Sequence, residues 1–175
     1  MKIKLRPGAL PAAWPLRRLE TLIVTWFGSG LAPIASGTWG SLAALPFGWL
    51  AVTYGGVWTL VALTLATSLA GIWASSRIVS DANLQDPGFI VIDEVAGMLV
   101  TLILAPVTWW GFALAFLLFR VADIVKPFPA NWCDREVHGG LGVMLDDLVA
   151  GVYAGLATWL IAEFFLGDIM ARFGG

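Results

Sequence analysis

The sequence predicts an all-α, polytopic membrane protein, a helical bundle of about five transmembrane spans with Gly-rich re-entrant or interfacial loops on the cytoplasmic side. Hydrophobic residues make up 59% of the 175 residues and charged residues only 13%, which is far more apolar than a soluble domain of this length. The ten tryptophans fit this class, because their amphipathic rings favour membrane interfaces. The net charge of −2 argues against a nucleic-acid partner, since binding to phosphate backbones requires a basic surface.

The N-terminal end differs from the rest in composition. Residues 1–20 hold five of the ten Lys and Arg residues, and we predict that they form a basic cytoplasmic or interfacial segment before one membrane-embedded domain at 21–175. Charges and prolines interrupt every apolar run before Arg17, so no signal-peptide core is expected. The positive-inside tendency then keeps this end in the cytoplasm. Residues 21–27 are apolar but would cover only about 10 Å as a helix, so we expect a short interfacial or buried helix there.

Residues 28–41 contain four glycines, three serines and Pro33, a composition typical of loops. Non-helical backbone at membrane depth must be buried in protein or face a watery cavity. Successive glycine N–H groups can converge on an anion, and neighbouring hydroxyls can add donors. The residues that carry these hydroxyls are Ser29, Ser36, Thr38 and Ser41. The segment therefore fits either a phosphate cradle or an ordinary re-entrant connector.

Long apolar runs define the predicted spans. Residues 38–76 carry no charge, and YGG at 54–56 divides them into the two arms of a helical hairpin. Residues 77–88, with their Asp-Pro-Gly turn chemistry, form a polar connector. Further spans are predicted at about 89–106, 110–125 and 143–166, with a polar connector at 126–142. The last span carries two small residues four positions apart, Gly151 and Gly155, which let a neighbouring helix pack closely.

The order of these spans places every strong charge cluster on one face. With the N-terminus inside, the segments 28–41, 77–94 and 120–147 all lie on the cytoplasmic side, whereas the opposite loops carry no charge. The third and fifth spans begin on this side and the fourth ends there, so their acidic residues fall within about one or two turns of the same interface. We therefore expect five carboxylates to converge. They are Asp93, Glu94, Asp123, Asp146 and Asp147.

Converging carboxylates repel one another, and they either take up protons or bind a cation. Hard oxygen ligands favour Mg²⁺ or Ca²⁺, and Mg²⁺ typically takes one or two carboxylates together with waters and substrate phosphate. The alternative is structural: acids at the start of a span can cap the helix, and Asp123 can pair with Arg120 three residues earlier. The five acids are the candidate metal ligands, with Mg²⁺ as the expected ion.

Three cations near these acids suit a phosphomonoester, whose charge exceeds what one divalent ion neutralises. They are Arg120, Lys126 and Arg135. Each also fits the tendency of positive residues to end spans on the cytoplasmic side. His138 is either a polar loop residue or a catalyst, and the GGLG at 139–142 either meets phosphate at a helix N-terminus or forms a turn. Cys133 has glycine instead of arginine six positions on, which argues against a cysteine phosphatase.

Four motifs resemble the phosphatidylglycerophosphatase A family, and they occur in the family's order along nearly the whole chain after residue 20. They are GSGLAPIASGTWGS at 28–41, IDEVAG at 92–97, FRVADIVKPFP at 119–129 and DREVHGGLGVMLDDLVAG at 134–151. The resemblance implies a bacterial inner-membrane, multi-pass, Mg²⁺-dependent lipid phosphatase. It also implies the reaction, in which phosphatidylglycerophosphate in the bilayer becomes phosphatidylglycerol and inorganic phosphate.

The expected mechanism is metal-assisted hydrolysis of a phosphomonoester at the cytoplasmic interface, with Arg120, Lys126 and the 28–41 segment holding phosphate oxygens. One carboxylate acts as a base or forms an aspartyl-phosphate. The catalytic candidates are Asp93, Glu94, Asp123, Asp134, Asp146 and Asp147. Two other classes stay open. A phosphatidyltransferase would need a DG-x2-AR run that is missing, and a transporter would place its ionisable residues nearer the bilayer midplane.

Overall fold

The computed structural model describes residues 9–82 and 87–173, with side chains described at 9–80 and 87–164. Over these ranges all regular secondary structure is helical and no strand is present, which confirms the predicted all-α class. One 3-10 turn lies at Ser29–Leu31. The α-helices are α1 (Leu19–Val24), α2 (Ser36–Ala82), α3 (Ile92–Ile103), α4 (Trp109–Val125), α5 (Ala130–Glu136) and α6 (Gly139–Phe173).

α2 is a helical hairpin and not one straight rod. The chain reverses at Gly56, whose φ of 74° lies in the left-handed region that favours glycine. α2 begins beside the segment before α3, where the Ser36 hydroxyl donates to the Gly88 carbonyl at 2.6 Å. It passes the end of α3 at Gly48 and is again beside the start of α3 at Gly71. The hairpin predicted from the YGG sequence is therefore confirmed.

Two helices in the described part are long and apolar enough to cross a membrane, judged by length and composition. They are Ser36–Ser80, which contains the hairpin, and Gly139–Phe164. The prediction of about five spans is not supported. α3 has 12 residues and α4 has 17, so they would cover about 18 and about 26 Å, less than the roughly 30 Å of a hydrocarbon core. The predicted span at 89–106 begins and ends in non-helical segments, at 87–91 and 104–108, so the helix inside it is shorter than the apolar run.

The segment 28–41 is only partly a loop, which corrects the prediction. Residues 36–41 form the first turns of α2, and the irregular part ends at Ala35, whose φ of 52° is left-handed. Gly40 lies inside the helix, where its missing side chain lets Val91 approach closely. Composition was misleading here, because this glycine serves close packing and not a turn.

Other boundaries follow the sequence-based ones more closely. α1 confirms the short helix predicted near the N-terminus. The polar connector predicted at 77–88 continues α2 to Ala82, and its residues 83–86 lie outside the described part. The connector predicted between the fourth and fifth spans contains α5, and α6 begins at Gly139 and not at 143. The acids of α6 consequently lie well inside a helix.

α3 is the central helix, with nine of its twelve residues buried, because α2, α4 and α6 pack around it. α3 and α6 approach each other closely where Gly151 faces the backbone of Gly97 and where Gly155 faces Thr101. The Thr101 hydroxyl donates to the Gly151 carbonyl across this contact, at 3.2 Å. The close packing predicted from the two small residues of α6 is confirmed, with α3 as the partner helix.

Candidate active site

A cavity of about 380 Å³ lies at the end of the bundle where α3 begins and α4 ends. The first turn of α3, the last turn of α4, helix α5 and the early part of α6 all contribute to its wall. Its acidic lining residues are Asp93, Glu94, Asp123, Asp134, Asp146 and Asp147. The structure thus brings all six acids singled out in the sequence to one cavity, although they come from four helices.

Three of these acids form a tight cluster, here called the carboxylate triad: Asp93, Glu94 and Asp147. One carboxylate oxygen from each lies within 4.8 Å of the others. Asp93 and Asp147 are only 8% and 3% exposed. Glu94 Oε2 is buried and has no hydrogen-bond partner among the described residues. Buried polar atoms normally have a partner. Three converging carboxylates, one of which carries an unsatisfied oxygen, are a donor set that fits a divalent cation.

The acids of α3 lie in its first turn, where the helix dipole favours them, although no side chain caps the helix at Val91, and the capping alternative fails for α6. Asp93 and Glu94 lie in the first turn of α3, and Asp93 Oδ1 accepts a hydrogen bond from the Glu94 backbone N–H at 3.0 Å. Asp146 and Asp147 lie about two turns after the start of α6 at Gly139, beyond the reach of capping, which acts within the first turn. Burying the α6 pair therefore contributes nothing to helix initiation, and Glu94, Asp123 and Asp146 all lie close enough to repel the Asp147 charge.

Asp123 forms an ion pair with Arg120, which the sequence analysis gave as the structural alternative to metal binding. Arg120 Nη1 lies 2.7 Å from Asp123 Oδ2, and the same nitrogen donates to the Ser41 hydroxyl at 3.3 Å. Arg120 is not part of the cavity wall, so the structure places it behind Asp123. Its guanidinium orients a cavity carboxylate from outside the cavity.

Lys126 crosses the cavity between two acids. Lys126 directly follows α4, and its left-handed φ of 46° turns the chain. Its Nζ donates to Asp134 Oδ1 at 2.7 Å and to Asp146 Oδ2 at 2.6 Å. Burial alone would lower the pKa of Lys126, but the hydrogen bonds with these two carboxylates outweigh it and raise the pKa. Lys126 is therefore charged at neutral pH and links α4, α5 and α6.

The four hydroxyls of the 28–41 segment do not form a common cradle. Ser36 lines the cavity, although its hydroxyl donates to the Gly88 carbonyl. Ser41 is buried and donates to a carbonyl of its own helix. Ser29 lies on a separate, mainly apolar cavity of about 500 Å³, and Thr38 lines neither cavity. Only one of the four predicted donors is thus placed near the acids.

Two further side chains of the cavity wall come from α5 and from the turn that follows it. The Arg135 side chain makes neither a hydrogen bond nor an ion pair with any residue that the structure describes. His138 Nδ1 lies 2.9 Å from the Glu136 carbonyl oxygen. Cys133 is buried and does not line the cavity, in agreement with a structural role. Among the cations of the cavity, Arg135 is the one left available to a ligand in the described part.

Small residues also shape the cavity, and sequence reasoning singled out only some of them. Gly88, which it missed, contributes to the wall and accepts the Ser36 hydrogen bond, whereas Gly139 and Gly142, which also line the wall, belong to the GGLG segment already considered. Gly37 lies against Glu94 and Arg120 from the first turn of α2. The available signal was the density of glycines near the motifs, but composition alone does not separate a packing glycine from a turn glycine.

The fold and the cavity together define a class of protein. Large apolar side chains are exposed along the two long helices, as at Trp58 and Leu160, which fits a membrane-associated helical bundle. At one end of that bundle, buried carboxylates with adjacent cations form a site suited to a divalent cation and a phosphate ester.

Comparison with known proteins identifies the family within this class. The Phosphatidylglycerophosphatase A family profile matches residues 22–162, and the chain belongs to this family. The Escherichia coli phosphatidylglycerophosphatase A is 44% identical over 144 residues, 81% of this chain and 83% of the relative. The Haemophilus influenzae phosphatidylglycerophosphatase A is 35% identical over 158 residues, 87% of this chain and 97% of the relative.

A third relative has a different name. A Bacteroides thetaiotaomicron protein, provisionally named a phosphatidylinositol-3-phosphatase, is 39% identical over 155 residues, 82% of this chain and 96% of the relative. No solved structure matches the chain. The three names share one chemistry, the removal of phosphate from a lipid headgroup.

Proposed function

We propose that this protein is a phosphatidylglycerophosphatase, a phosphoric monoester hydrolase that converts phosphatidylglycerophosphate to phosphatidylglycerol and inorganic phosphate. Membership of the family supports the substrate and the reaction. The observation that carries the chemistry is the buried carboxylate triad in the wall of a cavity that also holds cations, with a Glu94 oxygen that has no hydrogen-bond partner in the described part of the chain.

The triad is the proposed site of a divalent cation, with Mg²⁺ as the expected ion. Such an ion supplies charge neutralisation on the phosphoryl oxygens and polarises the phosphorus towards attack. The ion would be held by Asp93, Glu94 and Asp147. Asp123 lies next to Asp147, and its carboxylate is oriented by the ion pair with Arg120.

Asp146 is the proposed proton acceptor for the attacking water. Its Oδ1 is buried and has no hydrogen-bond partner among the residues that the structure describes, whereas Lys126 Nζ donates to Oδ2 at 2.6 Å. A carboxylate held at one oxygen and open at the other can take a proton from a water that attacks phosphorus. The bond from phosphorus to the headgroup oxygen then breaks, and that oxygen takes a proton from solvent at the cavity mouth.

Arg135 is the proposed phosphate-binding cation, because Lys126 is already shared between two carboxylates. A guanidinium can bind two phosphate oxygens at once. We expect Arg135→Gln to raise the KM for phosphatidylglycerophosphate in mixed micelles by about 10-fold, or about 1.4 kcal/mol, with a smaller change in kcat. Arg17→Gln, at an exposed position outside the cavity, serves as the matched control. An unchanged KM in Arg135→Gln removes this residue from substrate binding.

The proposed location is the bacterial inner membrane, with several passes and the cavity facing the cytoplasm. The two hairpin arms, 36–55 and 57–80, would each extend about 30 Å or more, enough to cross a bilayer. The charges gather at the cavity end, whereas Tyr54 at the hairpin tip is 83% exposed and far from any charge cluster. In this arrangement α3 and α4 are shorter helices packed inside the bundle.

Cysteine labelling of bacterial spheroplasts checks the orientation. In a Cys133→Ser background, Tyr54→Cys is expected to react with a membrane-impermeant maleimide in intact spheroplasts. Glu136→Cys, on the exposed side of α5, is expected to react only after permeabilisation. The reverse pattern contradicts the proposed orientation, and labelling of both positions in intact spheroplasts contradicts a membrane-spanning hairpin.

The substrate itself is tested by phosphate release. Purified full-length protein in mixed micelles is given either phosphatidylglycerophosphate or phosphatidylinositol 3-phosphate, because one relative is named for the second lipid. We expect release of inorganic phosphate and formation of phosphatidylglycerol from the first. Activity only on the second lipid, or no release from either, contradicts the proposed function.

A further inference from the structure

We propose that three glycines position the carboxylate triad, because each removes a side chain that would push triad members apart. They are Gly37 on α2, Gly97 on α3 and Gly151 on α6. The inference rests on the proposed function only in that the triad binds a divalent cation. These are positioning residues, since none of them carries a group that could touch the ion or the substrate.

Gly37 provides the space in which the Glu94 carboxylate lies. A Cβ on Gly37 would overlap Glu94 Oε1 and would stand 3.3 Å from Arg120 Nη1. The overlapped atom is the end of a flexible side chain, so an alanine here displaces the carboxylate more readily than it disrupts the fold. The carboxylate then shifts relative to Asp93 and Asp147, although one of its oxygens now lies within 4.8 Å of an oxygen from each.

Gly97 and Gly151 set the distance between α3 and α6 one turn from the acids. Gly97 follows Asp93 by four residues, and Gly151 follows Asp147 by four residues. A Cβ on Gly97 would lie 2.5 Å from the Asp147 carbonyl oxygen, and one on Gly151 would overlap the Gly97 carbonyl oxygen. These two oxygens are backbone atoms, so a side chain at either position forces the helices apart, and one at Gly97 also stands 2.6 Å from the Phe119 ring of α4. The backbone contact therefore holds the two aspartates at ligand distance.

Binding of Mn²⁺, used as a spectroscopic probe for the divalent site, tests this inference on the full-length protein in detergent. Electron paramagnetic resonance reports free Mn²⁺ without any need for catalysis. Gly37→Ala and Gly97→Ala are each expected to weaken Mn²⁺ binding by about 10- to 100-fold, the range found when groups that orient metal ligands are changed. In Gly37→Ala this loss is expected at an unchanged Tm.

Two glycines elsewhere provide matched controls. Gly155 lies on the same face of α6, two turns beyond Asp147, and a Cβ there would stand 3.3 Å from the Thr101 carbonyl. Gly48 packs against the Leu102 side chain, far from the acids along α3. Gly155→Ala and Gly48→Ala are expected to alter Tm and to bind Mn²⁺ as the wild type does. A loss of Mn²⁺ binding in these controls equal to that of Gly97→Ala assigns the effect to general packing and overturns the inference.

A second-site rescue keeps the inference testable if Gly97→Ala fails to fold. Glu94→Asp shortens the acid by one methylene and withdraws its oxygen from a Cβ at residue 37. We expect Glu94→Asp to weaken Mn²⁺ binding in the wild type but to restore part of it in Gly37→Ala. Additive losses overturn the inference. Wild-type protein that binds no Mn²⁺ contradicts the proposed cation site, whereas wild-type binding retained in every glycine variant contradicts only the positioning role.

Discussion

Asp147→Asn is expected to lower phosphate release from phosphatidylglycerophosphate by about 10³-fold or more, a loss of about 4 kcal/mol of transition-state stabilisation. The amide keeps the volume of the carboxylate, so the α3–α6 contact is preserved. It removes the negative charge and one carboxylate oxygen from the proposed cation site. The kcat measured at saturating Mg²⁺ reports the effect.

Glu163→Gln is the matched control for this change. Glu163 lies on the same helix, is exposed, and belongs neither to the triad nor to the cavity wall. Its variant is expected to retain wild-type activity. Asp147→Asn protein that is folded and active within a few-fold of the wild type would remove Asp147 from the site.

Lys126→Met is expected to reduce both activity and stability. The ammonium neutralises Asp146, whose side chain is 8% exposed, and its removal leaves that charge without compensation. Because Lys126 itself is 29% exposed, we expect a stability loss of about 2 kcal/mol, below the range for fully buried pairs. Asp134 forms the second ion pair of Lys126, and its side chain is 43% exposed. We therefore expect Asp134→Asn to lower the stability less than Lys126→Met does. Thermal unfolding of the two variants shows which of them loses more stability.

The pH dependence of the Lys126 contribution follows from its raised pKa. A group whose pKa is higher in the folded than in the unfolded state contributes its full stability below the unfolded pKa, about 10.4 for lysine. That contribution is lost as the pH rises towards the folded pKa. The Tm difference between wild type and Lys126→Met is therefore expected to be constant from about pH 7 to 9 and to narrow above about pH 10.5. A difference that widens at alkaline pH contradicts the bridge.

The features that the sequence predicts well are those with a local signal. Gly56 within an uncharged run predicts the hairpin reversal, because the left-handed turn needs glycine. The acids at the start of α3 and at the end of α4 are brought to one end of the bundle by helix direction alone. These predictions depend on neighbouring residues, so no knowledge of the packing is required.

The features that were missed depend on contacts between distant residues. An apolar run such as 89–106 has the same composition whether it crosses a bilayer or forms the buried centre of a bundle, so composition predicted about five spans, whereas two described helices are long and apolar enough to cross. The Lys126–Asp146 pair joins residues twenty positions apart, and Gly97 meets the Asp147 backbone fifty positions on. No local pattern reports either contact.

The most direct measurement is phosphate release from phosphatidylglycerophosphate by full-length protein that has been stripped of metal with a chelator and then titrated with Mg²⁺. We expect release to stop after stripping, to return to the original rate as Mg²⁺ is added, and to stay absent in Asp147→Asn at every Mg²⁺ concentration. Release by stripped wild-type protein at the original rate would contradict a cation held by Asp93, Glu94 and Asp147.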